Sequence, residues 1–136
     1  MALVKSYTMQ NGITCENAYH IVNQVQQFKR AIDDPDPDGM RPENSPDHAW
    51  KAGTYGRISV VVYASADARN NGNAPIACYA KYPTEAPGGN FMGEVNILQA
   101  DEDLSFTIDM EGGESITQQA YNHMLTLPTW NGANPS

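Results

Sequence analysis

The chain has 136 residues, 40% of them apolar, which suits one domain with a packed core and is short for two. Eight Lys and Arg against sixteen Asp and Glu leave a formal net charge of −8, which excludes a broad basic face for nucleic-acid phosphates and makes an anionic membrane surface an equally poor partner. The imbalance is local: residues 1–81 hold all eight cations and eight acids, and residues 82–136 hold the other eight acids with no Lys or Arg.

Met1-Ala-Leu-Val-Lys-Ser-Tyr7 turns polar at once and lacks the apolar stretch of a secretory signal. No apolar run approaches the roughly 20 residues that span a bilayer. These features predict a soluble, unprocessed product of a reducing cytosol. Cys15 and Cys78 lack the spacing of a zinc ribbon or redox pair. Two buried free thiols are the expectation, with pairing to each other or across subunits left open.

Residues 3–9 and 13–28 are β-rich runs separated by Gln10-Asn11-Gly12, and Asn-Gly between such runs signals a type I′ hairpin turn. The spacing predicts an opening hairpin over 2–28. Its second arm would bury the odd positions Ile13, Cys15, Tyr19, Ile21 and Val25. Some helical periodicity over Glu16–Val22 leaves room for a bulge or short turn there.

Residues 31–50 hold four of the nine prolines, with Asp at alternate positions, and read as a long loop insertion. Arg57–Ser65 follows as the most hydrophobic strand, and Val60-Val61-Val62 predicts burial on both faces in a central position. Residues 74–82 should return antiparallel to it. After a Pro- and Gly-rich loop from Pro83 to Asn90, strands are expected over 91–98 and 104–110, the second placing Leu104, Phe106, Ile108 and Met110 on one face. Ser115-x-x-Gln118 is a capping box, and Ile116, Ala120, Tyr121, Met124 and Leu125 form one helical stripe. Leu127-Pro128 ends that helix, and residues 128–136 form an irregular tail. The sum is a single, mainly β domain over 1–136: a small antiparallel β-sandwich or half-barrel with one C-terminal α-helix and a long Pro/Asp-rich loop.

Few residues suggest chemistry. Asp34-Pro-Asp36-Pro-Asp38-Gly39 matches the first half of a calcium loop, with Asp34, Asp36 and Asp38 as candidate ligands. The twelfth position, however, is Ser45 and not a bidentate Glu, which favours a solvated acidic loop and no cofactor. His20, His48 and His123 lack metal-ligand or catalytic spacing, and His20 belongs to a strand, His123 to the helix and His48 to the loop. No nucleotide loop or nucleophile elbow is present in the sequence. Asp101-Glu102-Asp103 reads as an acidic turn sooner than a glycosidase pair. A non-enzymatic role is the expectation. Alternation puts some of the aromatic residues in the core, which is the leading expectation. An exposed fraction beside polar loops, with Trp50, Tyr55 and Trp130 as candidates, would suit a protein interface or a carbohydrate surface.

Two stretches carry a family likeness: Gly12-Ile-Thr-x-x-Asn17-Ala-Tyr-His20-x-Val22, and Gln119-Ala-Tyr-x-x-Met124-x-Thr126-Leu-Pro-x-Trp130-x-Gly132-Ala133. Together they resemble a group of short tailed-bacteriophage proteins whose helix runs into a Leu-Pro-aromatic-x-Gly-Ala tail. The resemblance implies a virion component of the tail, baseplate, fibre-attachment or head–tail region, made in the host bacterial cytoplasm. It would act as a homo-oligomer with other virion proteins as partners, and without nucleic acid or membrane. A capsid-decoration or carbohydrate-binding module is the alternative. Relative to shorter members, segment 31–50 reads as an insertion. For the acidic loop, equilibrium titration should give equal calcium affinity, millimolar or weaker, for the natural chain and Asp36→Ala, whereas a built site would lose affinity on that substitution.

Overall fold

The computed structural model describes residues 1–31, 52–80, 93–97 and 104–136. The opening hairpin forms as two successive ladders. β2 (Tyr7–Thr8) pairs β3 (Thr14–Cys15) at its tip, and β1 (Leu3–Val4) pairs the start of β4 (Tyr19–Arg30) at its base. The turn differs from the expected two-residue type. Met9 donates to the Ile13 carbonyl at 2.8 Å and Gly12 to the Met9 carbonyl at 2.9 Å, which closes a three-residue loop, Gln10-Asn11-Gly12. Gly12 has φ 91°, a left-handed conformation that glycine adopts without strain, in a loop one residue longer than a type I′ turn. The Asn11 side chain accepts from Ile13 N at 3.1 Å and fixes the exit.

The expected odd-numbered buried face of the second arm is corrected by a bulge. Ala18 and His20, both even, are buried, and Val22 packs against the main core, whereas further along Val25 does so. The switch comes from Asn23: Val22 sits opposite Val60 and Gln24 opposite Ser59, so β4 carries one extra residue. An extra residue inverts the side-chain alternation, and each half of this long strand thus offers its apolar residues to the same side of the sheet.

β4 pairs along its length with β5 (Gly53–Tyr63), which begins earlier and ends earlier than its apolar run. Val60, Val61 and Val62 are all buried, as a strand at the centre of a sheet requires. Ser65 leaves the strand to cap a short helix, α1 (Ala66–Asn70), accepting from Ala68 N at 3.0 Å. That helix closes through Gly72 N to Arg69 O and Asn73 N to Ala68 O, with Gly72 at φ 80°. β6 (Ala77–Ala80) then returns antiparallel on β5, as expected.

β7 (Glu94–Ile97) runs parallel to β6, the one pairing that departs from the antiparallel expectation. β8 (Ser105–Thr107) takes the other half of the β5 edge, opposite Tyr55–Arg57. Leu104, Phe106 and Ile108 are buried as expected, but Met110 is 64% exposed. The strand ends at Thr107, and Asp109 turns the chain by accepting from the amides of Glu111 and Gly112, each at 3.0 Å. β9 (Asn134–Pro135) pairs β1, giving a seven-stranded sheet ordered β7-β6-β5-β4-β1-β9 with β8 beside β6 on β5.

The C-terminal helix α2 (Ile116–Leu125) covers one face of this sheet. Half of the expected capping box forms: Ser115 Oγ accepts from Gln118 N, while the Gln118 side chain turns away to Asn122. Gln119 does the reaching back, to the carbonyls of Asp109 and Glu114. Ala120, Tyr121 and Met124 are buried against Leu3, Ile58, Val60, Leu104, Phe106 and Ile108, and each large apolar side chain so removed from water contributes about 1.5–3 kcal/mol. The hairpin tip covers the same face further on, with Tyr7 and Ala18 against Val62 and Ala77. The second layer of this mainly β fold is therefore a helix and a folded-over hairpin. Cys15 packs at the tip and Cys78 is buried in β6, and both are free thiols.

Of the two glycines in β5, Gly56 is the tightly packed one. A Cβ there would stand 2.8 Å from Phe106 Cε1 and 3.0 Å from Val25 Cγ1, both core side chains. Gly56→Ala should therefore lower stability by about 1–3 kcal/mol through overpacking, read as a fall in the urea midpoint with an unchanged denaturant slope.

Candidate functional site

Both ends of the chain converge on one polar and aromatic joint set in the apolar core. After α2, Pro128–Trp130 forms a single 3-10 turn, with proline at its start where no backbone donor is needed. The turn sends the Trp130 ring inward to full burial. Gly132 then takes φ 82°, and residues 134–136 run back along β1, where Ser136 N donates to Ala2 O at 2.9 Å.

At the centre lies His20, 2% exposed. Trp130 Nε1 donates to His20 Nδ1 at 3.1 Å, and His20 Nε2 lies 3.1 Å from the Lys5 carbonyl. An indole only donates and a carbonyl only accepts, so the ring must be neutral with its proton on Nε2. Burial pushes its pKa below the ordinary histidine value, the hydrogen bond to the Lys5 carbonyl opposes that, and the nearby Lys5 ammonium adds to the lowering. The same Lys5 reaches over the 3-10 turn, its Nζ donating to the carbonyls of Thr129 and Asn131, each at 2.9 Å. One residue thereby holds the imidazole with its backbone and the turn with its side chain.

Rings extend the joint sideways. Tyr79 lies edge-on to Trp130 at 5.0 Å and stacks on His20 at 6.4 Å, and Tyr7 meets Tyr79 edge-on at 6.3 Å. The Tyr7 hydroxyl donates to Glu94 Oε2 and accepts from Asn96 Nδ2, and Glu94 Oε1 also accepts from Gln10 N. Burial and the Glu94 carboxylate raise the Tyr7 pKa well above the ordinary tyrosine range. Tyr7 thus stays protonated and ties the hairpin tip to β7.

Tyr121 makes the second fastening. The register Leu3 opposite His20 would, two residues on, set Met1 opposite Val22. There the Tyr121 hydroxyl inserts, accepting from Val22 N at 3.0 Å and donating to Met1 O at 2.7 Å. These residues satisfy one another, which is the chemistry of a joint.

Of the interface candidates, Trp130 is 0% and Tyr55 4% exposed. Tyr55 stacks on Phe28 within the sheet, so neither ring offers a surface to a partner in this chain. Trp50 and the calcium candidates Asp34, Asp36 and Asp38 lie outside the described residues, as do His48 and Asp101-Glu102-Asp103. His123 stacks on Phe106. Lys5, Tyr7 and Glu94 carry much of the joint, and nothing in their spacing marks them. The visible signal was indirect: stretches 12–22 and 119–133 supply His20, Val22, Tyr121 and Trp130, and those are the residues that meet.

Tyr121→Phe should cost about 1–3 kcal/mol, because it leaves Val22 N and Met1 O without their shared partner in a half-buried seam; chemical unfolding measures it. Stability should also depend on pH. The folded-state pKa of His20 is lowered, so below about pH 6.5 the unfolded chain binds more protons than the folded one. The contribution of His20 is full above that pH and declines as pH falls toward the folded-state value. Urea unfolding at pH 8 and pH 5 should show that loss, reduced in His20→Gln. No family model, curated protein or solved structure matches the chain.

Proposed function

We propose that the chain is a structural component of a tailed-phage particle, in the tail, baseplate, fibre-attachment or head–tail region, acting through contacts with its own copies and with other virion proteins. The observation that supports this reading is the convergence of the two phage-like stretches. Leu127-Pro128-x-Trp130-x-Gly132-Ala133 has a physical meaning in the fold: a helix stop, a proline-started turn, a buried ring, a positive-φ glycine and a return to β1. The first stretch supplies the imidazole that receives that ring. Such a closure of a small domain suits a subunit that must present fixed surfaces to its neighbours.

Two exposed features suit such contacts. Ile13, at the hairpin tip, is 58% exposed, and Met110 stands beside the exposed acids Asp109, Glu111 and Glu114. A neighbour presenting Lys or Arg would complement that loop. The alternative, a decoration or carbohydrate-binding module, draws less support, since Tyr55 and Trp130 are committed to the interior.

The deciding experiment is to locate the chain in a cryo-EM map of the intact particle, with mass spectrometry of purified virions as a check for its presence. A regular, symmetric position is expected, with release of the subunit as salt rises from about 0.05 to 0.5 M, a range that shortens electrostatic reach severalfold. Absence from purified virions, or turnover of a receptor polysaccharide, would sink the proposal; glycan binding by the isolated chain would favour the alternative.

A further inference from the structure

We infer that residues 127–136 form an acid-releasable latch: protonation of His20 frees the Trp130 turn and the β9 return from the sheet while β4, β5 and α2 stay folded. The geometry carries this. The imidazole is the single side chain that receives the latch's indole, and it is held by the Lys5 carbonyl on its other nitrogen. A proton added to Nδ1 would set N–H against N–H, breaking the bond to Trp130 and placing a charge in the apolar core.

The surroundings offer that charge little relief. On its own strand the buried neighbour is Ala18; from β5 it faces Val62 across the ladder. From β6 it meets the Tyr79 ring, and from the 3-10 turn the Trp130 ring. The Lys5 ammonium, on the Thr129 and Asn131 carbonyls, adds a like charge. Glu94 is reached through the Tyr7 hydroxyl, and His123 lies against Phe106. Among the described residues, no carboxylate accepts from either ring nitrogen of His20.

The latch is otherwise held by Lys5 Nζ on the Thr129 and Asn131 carbonyls, by the burial of Leu127, Trp130 and Ala133, and by short backbone pairing. β9 has two residues, and Ser136 N adds one bond to Ala2 O. By contrast β4 and β5 pair over eleven positions. The two-residue pairing and the titrating contact thus lie in one segment, which acid loosens at its buried anchor. Release would uncover the outer edge of β1 together with Leu3 and the side of His20 that Trp130 covers.

Hydrogen–deuterium exchange of the full chain, corrected for intrinsic chemical exchange, tests this between pH 8 and pH 5. If opening restores an ordinary histidine, the open population of 127–136 rises up to tenfold per pH unit below about 6.5. Residues 54–62 and 116–125 should keep their protection. In His20→Gln, whose amide can accept from the indole and donate to the carbonyl without titrating, the pH dependence should vanish. Loss of protection in latch and central strands together, a pH-independent latch, or an unchanged profile in His20→Gln would overturn the inference. Should that variant fail to fold, imidazole nitrogen shifts in the natural chain decide: the His20 titration midpoint must coincide with that of latch deprotection, and separate midpoints reject it.

Discussion

An imidazole held between an indole and a backbone carbonyl is the contact on which the closure of this fold, end against end, depends. Trp130 is the largest fully buried side chain described, and it carries a donor that must be met inside an apolar core. His20 meets it, and in doing so has to donate its own N–H to the Lys5 carbonyl. Lys5 is thereby fixed where its ammonium can take the two carbonyls that the 3-10 turn leaves over. Three residues, two near the start of the chain and one near its end, each satisfy a group that another would leave stranded. Removing any member of such a network exposes a desolvated partner.

The joint is placed by the bulge at Asn23. Without the extra residue, a straight twelve-residue β4 would send either His20 and Val22 or Val25 to the wrong face. The bulge lets the early half of β4 serve the aromatic joint and the later half the Gly56–Phe106 contact, where the absence of a side chain permits close packing. It also falls next to Val22, whose amide is taken by Tyr121 just where β1 parts from β4. One inserted residue thus allows a single strand to face the helix, the turn and the hairpin tip on the same side.

Strand and helix identity were legible in the sequence because each rests on local chemistry. The valine run gave a central strand, Ser115 gave a helix start, and Leu104, Phe106 and Ile108 gave a buried face. What escaped was decided at a distance. The parity of β4 turns on a bulge that no residue type announces, and the parallel placement of β7 depends on Tyr7 and Gln10 gripping Glu94 from more than eighty positions away. Tyr55 and Trp130, weighed as surface candidates, lie in the interior. Trp130 sits in a Pro- and Asn-rich tail that looks irregular, and only its meeting with His20 turns that tail into part of the core. Stretches 12–22 and 119–133 held the pertinent residues without showing that they touch.

The charge asymmetry changes meaning in the same way. Net charge invites the picture of one acidic patch, yet several of these carboxylates have internal work. Glu94 binds Tyr7 and Gln10, Asp109 holds two amides of its own turn, and Glu114 accepts from Asn122. A carboxylate already accepting such bonds is less available to a partner, and at exposed positions each ion pair contributes about 0–1 kcal/mol. Electrostatics here can therefore steer and orient a basic neighbour, but cannot alone hold one. A lasting contact needs apolar area as well, and the loop supplies it in Met110, set among the acids where the strand stops short. The early end of β8, forced by the Asp109 turn, is what converts a side chain with the right parity for the core into one available to a neighbour.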